Sequence, residues 1–156
     1  MKQLPPNVQA PDFKLTALNG QELRLSDAIA VRPVVLAFYK ASCPTCQLTF
    51  PYLQRIYSEF RAEPFSTIWG ISQDEFAETR EFVREYGIQF DILIDEHPYA
   101  VSAAYGLEFV PAIVVVGTDG KITISDYGFS KATLSEIAKP FQLFAADDGL
   151  PAIRPG

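Results

Sequence analysis

Six consecutive apolar residues, Val34 Val35 Leu36 Ala37 Phe38 Tyr39, are followed after three residues by Cys43 Pro44 Thr45 Cys46. A run without polar alternation is the pattern of a strand covered on both faces, as in a mostly parallel sheet. From Pro44 to about Phe60 the period changes. Leu48, Tyr52, Leu53, Ile56, Tyr57 and Phe60 recur at helical spacing, with Pro51 expected to kink the helix midway. A buried strand feeding directly into a helix restricts the chain to folds in which helices cover a sheet, and it places both sulfurs at the junction.

The rest of the chain continues this alternation. Phe13 to Thr16 and Leu23 to Leu25 read as a hairpin joined through Leu18 Asn19 Gly20 Gln21, because Asn-Gly supplies positive φ angles. Phe65 to Ile71 reads as a second strand. Asp74 to Tyr86 reads as a helix with Phe76, Thr79, Val83 and Tyr86 on one side, acidic residues at its positive end and Gly87 as its C-terminal cap. A short strand, Ile92 to Ile94, and a helix around Tyr99 to Tyr105 come next. The β-branched segment Ala112 to Val116 turns through Thr118 Asp119 Gly120 into a partner strand, Lys121 to Ser125. A closing helix is expected from Lys131, with Ser130 as its cap, Leu134, Ile137, Phe141 and Phe144 on its inner face and a bend at Pro140.

These elements predict the α/β class: a mixed central sheet with helices on both faces and an N-terminal β-hairpin. One domain over residues 1–146 is expected for a chain of 156 residues, followed by a loose or surface-docked tail at 147–156 that has Pro and Gly but no periodicity. The net charge of -6 argues against a basic face for nucleic acid or anionic lipid. The N-terminus lacks a long apolar stretch, so a cytoplasmic, non-membrane protein is expected, or a periplasmic or otherwise exported one if a leader has been removed; a monomer is expected.

The chain has two cysteines and one histidine, His97. Cys-x-x-Cys also occurs as half of a zinc site, but two thiols and one distant imidazole fall short of four ligands, so no metal and no cofactor are expected. At a helix start the first sulfur meets unpaired backbone N–H groups, which favour the nucleophilic thiolate over the thiol. Cys43 is therefore the expected attacker of a disulfide. Cys46, nearly one turn later, is the expected resolver of the mixed disulfide. The partners this chemistry calls for are a disulfide-containing protein or small-thiol substrate and a thiol electron donor.

The stretch Phe38 Tyr39 Lys40 Ala41 Ser42 Cys43 Pro44 Thr45 Cys46, with Pro51 five residues beyond, resembles the active-site strand and helix of the thioredoxin fold. The N-terminal hairpin, the extra strand and helix between Ile92 and Tyr105, and Val110 Pro111 Ala112 Ile113 followed by Gly117 Thr118 Asp119 Gly120 Lys121 resemble the TlpA-like thiol-disulfide oxidoreductases, a branch related to the AhpC/TSA peroxiredoxins. The resemblance extends from about Pro11 to Phe144. It implies a thioredoxin-like fold with a strand-helix insertion and Cys43 and Cys46 as the catalytic pair. It also implies that Pro111, preceded by Val110, is the family's cis-proline, which faces the disulfide and presents a neighbouring backbone group to substrate. An acidic residue after the second strand often serves near the cysteines of such proteins, which makes Asp74 the candidate proton acceptor.

Several residues depart from the reducing thioredoxin pattern. Ser42 replaces the usual Trp, Pro44 Thr45 replaces Gly-Pro, and Ala37 stands where thioredoxins carry a buried Asp. The resemblance therefore implies thiol-disulfide exchange while leaving the potential open. Two other functions are compatible with the pair: a thiol peroxidase acting through sulfenic acid, and a non-enzymatic binding module switched by the redox state of the cysteines. The peroxidase reading has less local support, because the Pro-x-x-x-Thr-x-x-Cys loop of peroxiredoxins is not reproduced; Lys40 stands in that stretch and Thr45 adjoins Cys46.

Overall fold

The computed structural model describes residues 2–62 and 64–138. The Asn-Gly turn forms as its sequence dictates: Gly20 takes a φ of 92°, and the Asn19 side-chain oxygen accepts the Gln21 N–H at 3.0 Å. It joins β1 (Lys14–Ala17) to β2 (Glu22–Arg24). A five-residue helix, α1 (Leu25–Ile29), follows, and its buried Leu25 anchors it to the core. The apolar run forms β3 (Val34–Tyr39), buried at every residue, and leads into α2 (Pro44–Glu59), which continues through Pro51.

Beyond it lie β4 (Thr67–Ser72), α3 (Phe76–Tyr86), β5 (Asp91–Ile94), α4 (Ala100–Ala104), β6 (Ala112–Val116), β7 (Ile122–Tyr127) and α5 (Lys131–Ala138). Gly87 ends α3 in the left-handed region, where its N–H reaches the Val83 carbonyl. Ser130 caps α5 by accepting the Thr133 N–H at 3.1 Å.

Among the described residues, seven strands form one sheet in the order β2-β1-β5-β4-β3-β6-β7. The pairs β3–β4 and β4–β5 are parallel, and the other neighbours are antiparallel. Side chains alternate across it, so Val35, Ala37 and Tyr39 pack with Phe50, Leu53, Phe82 and Leu134 of α2, α3 and α5. Val34, Leu36 and Phe38 point to the opposite face, where they meet Leu25, Val101 and Tyr105. Helices therefore cover both faces, as expected. Among the described residues, no helix is long and apolar enough to cross a membrane.

Local expectations need correction at several points. Helix α1 was not expected, since five residues carry too little periodicity to register. Strand β4 starts at Thr67, and Phe65 is exposed. In α3, Phe76 is exposed beneath the Arg80 guanidinium, while Phe82 takes the buried position by packing on Tyr39 and Phe50. Helical spacing admits either ring; tertiary packing chooses. Strand β7 extends to Tyr127, and α4 is preceded by a cis His97-Pro98 bond and a left-handed Tyr99. The expected bend at Pro140, the contacts of Phe141 and Phe144 and the tail at 147–156 lie outside the described residues.

Candidate active site

Cys43 occupies the N-cap position of α2 with extended backbone, and Pro44 opens the helix at a position where a missing N–H costs nothing. The Cys43 Sγ accepts the backbone N–H of Cys46 at 3.1 Å. A sulfur here replaces the oxygen that Ser or Asp normally supplies as a cap, and it sits at the positive end of the helix. Cys43 is partly exposed, whereas Cys46 is wholly buried. Neither is bonded to the other in this structure.

The turn carrying Cys43 is held from three sides. The Cys43 N–H donates to the Lys40 carbonyl at 3.2 Å, and the Gln47 side-chain amide donates to the Ala41 carbonyl at 2.8 Å. The Ala41 N–H donates to the Asp74 carboxylate at 2.6 Å. Asp74 is itself positioned: its N–H donates to Ser72 Oγ at 3.1 Å, and Ser72 Oγ lies 2.7 Å from Thr79 Oγ1. Because the Thr79 hydroxyl donates to the Glu75 carbonyl at 2.8 Å, Ser72 is the donor in that pair.

On the opposite side, the Cys43 thiol donates to the Val110 carbonyl over 3.6 Å. The Val110-Pro111 peptide is cis, in agreement with the resemblance and against the ordinary preference of an X-Pro bond. Of the residues singled out from sequence, Cys43, Cys46, Val110, Pro111 and Asp74 thus converge around one turn. His97 lies in the loop after β5, with its ring 5.3 Å from that of Tyr99, and lines the same cavity as Asp74.

Burial pushes the Cys46 thiol above its ordinary range, and the neighbouring Cys43 sulfur and the Asp74 charge push it the same way. Ala37, buried on the same face of the sheet as Cys46, supplies no acid or base. The supporting bonds from Gln47, Ser72 and Thr79 were not evident from sequence, since each depends on tertiary contact and no short motif encodes it.

The chain has parallels among known proteins. The AhpC/TSA family profile matches residues 6–125. The thiol-disulfide oxidoreductase ResA of Halalkalibacterium halodurans is 27% identical over 114 residues, covering 73% of this chain and 64% of that protein. A putative peroxiredoxin bcp of Helicobacter pylori is 32% identical over 109 residues, covering 68% of this chain and 70% of that protein. The thioredoxin domain of a thiol-disulfide oxidoreductase from Bacteroides vulgatus superposes with a TM-score of 0.77, covering 88% of this chain and 98% of that one at 23% identity. The fold is thioredoxin-like. The chain spans less than two thirds of the length of the ResA relatives it matches.

Proposed function

The chain belongs to the AhpC/TSA family, and from that premise we propose that it is a TlpA-like thiol-disulfide oxidoreductase acting through Cys43 and Cys46. The observation that carries this reading is the pairing of a partly exposed Cys43 sulfur at a helix N-terminus with a buried Cys46 whose N–H contacts it at 3.1 Å. The Cys43 thiolate attacks one sulfur of a substrate disulfide. A mixed disulfide forms, and the other substrate sulfur leaves as a thiolate that takes up a proton. Cys46 then loses its proton and attacks the Cys43 sulfur, closing the Cys43–Cys46 disulfide and releasing the second substrate thiol. Two electrons pass to the substrate, and a thiol donor restores the pair.

Cys46 needs a proton acceptor at the second step, because its burial favours the thiol. Asp74 takes that role in this reading, supported by its place beside the Cys43 turn and by the influence of its charge on Cys46. Val110 and Pro111 line the substrate side of Cys43, supported by the Val110 carbonyl at 3.6 Å. Disulfides persist outside the cytosol, so an exported setting is the one in which this activity meets substrate.

Reduction of insulin disulfides by dithiothreitol, with and without the protein, tests the reading. Cys43→Ser is expected to abolish the acceleration, and Cys46→Ser to accumulate a mixed disulfide. Full activity in Cys43→Ser would overturn the mechanism. The similarity to a putative peroxiredoxin favours one second reading, a thiol peroxidase. Hydrogen peroxide consumption no faster than that of free cysteine would dismiss it.

A further inference from the structure

Tyr39 is the last residue of β3, wholly buried, and its side chain falls on the sheet face that carries Cys46 and Phe50 of α2 and Phe82 of α3. Its ring centroid lies 4.3 Å from that of Phe50 and 4.7 Å from that of Phe82. These contacts set it between two polar parts of the site. Cys46 and Phe50 stand four residues apart on α2 and so are neighbours on one helix face. Thr79 and Phe82 stand three apart on α3, and Thr79 engages the Ser72 hydroxyl that accepts the Asp74 N–H. The sheet register agrees: Tyr39 pairs with Ser72 across β3 and β4, and the Tyr39 carbonyl accepts the Gln73 N–H at 3.1 Å.

The Tyr39 hydroxyl is buried without a hydrogen-bond partner among the described residues. The Ser72 hydroxyl, engaged with Thr79 and Asp74, does not meet bonding geometry with it. A phenylalanine would fill the same space without the cost of an unbonded hydroxyl, so the oxygen calls for a state of the protein that uses it. Burial raises the Tyr39 pKa above the ordinary tyrosine range; the Ser72 hydroxyl opposes the rise, and the charges of Asp74 and Cys46 add to it. Tyr39 therefore keeps its proton, and its hydroxyl lies within the field of Cys46. Asp74 and Cys46 are the ionisable groups that act on Tyr39, and Cys43 and Asp74 those that act on Cys46. Ala37, two residues earlier on the same face, offers no donor.

We propose that the Tyr39 hydroxyl stabilises the Cys46 thiolate in the resolving step, turning its hydrogen towards that sulfur once the thiol proton has left. This rests on the thiol-exchange reading above and adds a residue to its second half. The Cys46 proton passes to the acceptor, Asp74 in that reading, while Tyr39 keeps its own and only reorients it. The thiolate attacks the Cys43 sulfur, the Cys43–Cys46 bond forms, the bond to the substrate sulfur breaks, and the electron pair leaves with that sulfur. A donor used only while Cys46 is charged lowers the barrier to resolution without stabilising the resting thiol.

Tyr39→Phe tests this with dithiobis(nitrobenzoate), which releases one aryl thiolate when Cys43 attacks and a second when Cys46 closes the pair. The first release is expected at the wild-type rate. The second is expected to be about threefold to tenfold slower at neutral pH, because the thiolate fraction falls by about ten and the greater nucleophilicity of a more basic thiolate returns part of that. Its pH midpoint moves up by about one unit. The melting temperature stays level or rises, since an unbonded buried hydroxyl is removed. Both phases slowed alike, or a second phase unchanged in rate and midpoint, overturns the proposal. So does a lowered melting temperature, which would mean that the hydroxyl is bonded in the resting state. A wild type that releases no second aryl thiolate overturns thiol exchange itself, a result distinct from an unaltered second phase.

Discussion

The Asp74 carboxylate accepts the Ala41 N–H at 2.6 Å, tying the end of β4 to the turn two residues before Cys43. Its charge is also among the influences that hold the Cys46 thiol up. Asp74→Asn separates these contributions, because the Asn oxygen still accepts the Ala41 N–H while the charge is gone. The Cys46 thiol should then titrate lower. Resolution of a preformed mixed disulfide at neutral pH should nevertheless slow by about tenfold or more if Asp74 is the proton acceptor proposed above. Release of the substrate thiol followed across pH measures both; faster resolution would remove Asp74 from the acceptor role.

The unequal exposure of the two sulfurs predicts unequal reactivity. Iodoacetamide near neutral pH is expected to place one carbamidomethyl group, on Cys43, in the reduced native protein. Cys46 is shielded and its thiolate disfavoured, so it should react only after unfolding. Peptide mapping identifies the labelled residue, and equal labelling of both in the native state would contradict the buried position of Cys46.

The same burial links stability to alkaline pH. The Cys46 pKa is raised on folding, so the unfolded chain loses that proton first as pH rises. The stabilisation is fully present below the unfolded thiol value, about 8.5, and is lost above it with a slope of at most about 1.4 kcal/mol per pH unit. Thermal unfolding of the reduced protein between pH 8 and 10 should show the decline, and Cys46→Ala should flatten it. Tyr39 and Tyr105, also raised by burial, add their own slope only nearer pH 10 and above.

Local chemistry made much of the site legible in sequence. The run Val34 to Tyr39 meeting Cys43 specifies a buried strand feeding a helix, and Asn19-Gly20, Gly87 and Ser130 mark turns and caps through the backbone conformations or bonds they supply. Val110, Pro111 and Asp74 were reached only by resemblance, because they stand 67, 68 and 31 positions from Cys43 in sequence and no local rule brings them together. The stacking of Phe109 on Tyr127 was beyond reach, since it depends on the β6–β7 register, which shifts between Val115 and Val116. The choice of Phe82 over Phe76 depended likewise on rings contributed by β3 and α2.

Ser72 carries a further prediction, because its hydroxyl serves two partners. It donates to Thr79 Oγ1 at 2.7 Å and accepts the Asp74 N–H at 3.1 Å, and both Ser72 and Thr79 are fully buried. Ser72→Ala leaves the Asp74 N–H without that acceptor, at a cost of about 1–3 kcal/mol. For a chain of this size that lowers Tm by several degrees, about 2–4 °C per kcal/mol. Thr79→Val removes the other end of the pair but leaves the Asp74–Ser72 bond in place. The two variants should therefore lose comparable stability and unequal activity, with Ser72→Ala slowing mixed-disulfide resolution more. Calorimetry paired with insulin reduction separates them; equal activity losses would mean that Ser72 supports the core and leaves the orientation of Asp74 unaffected.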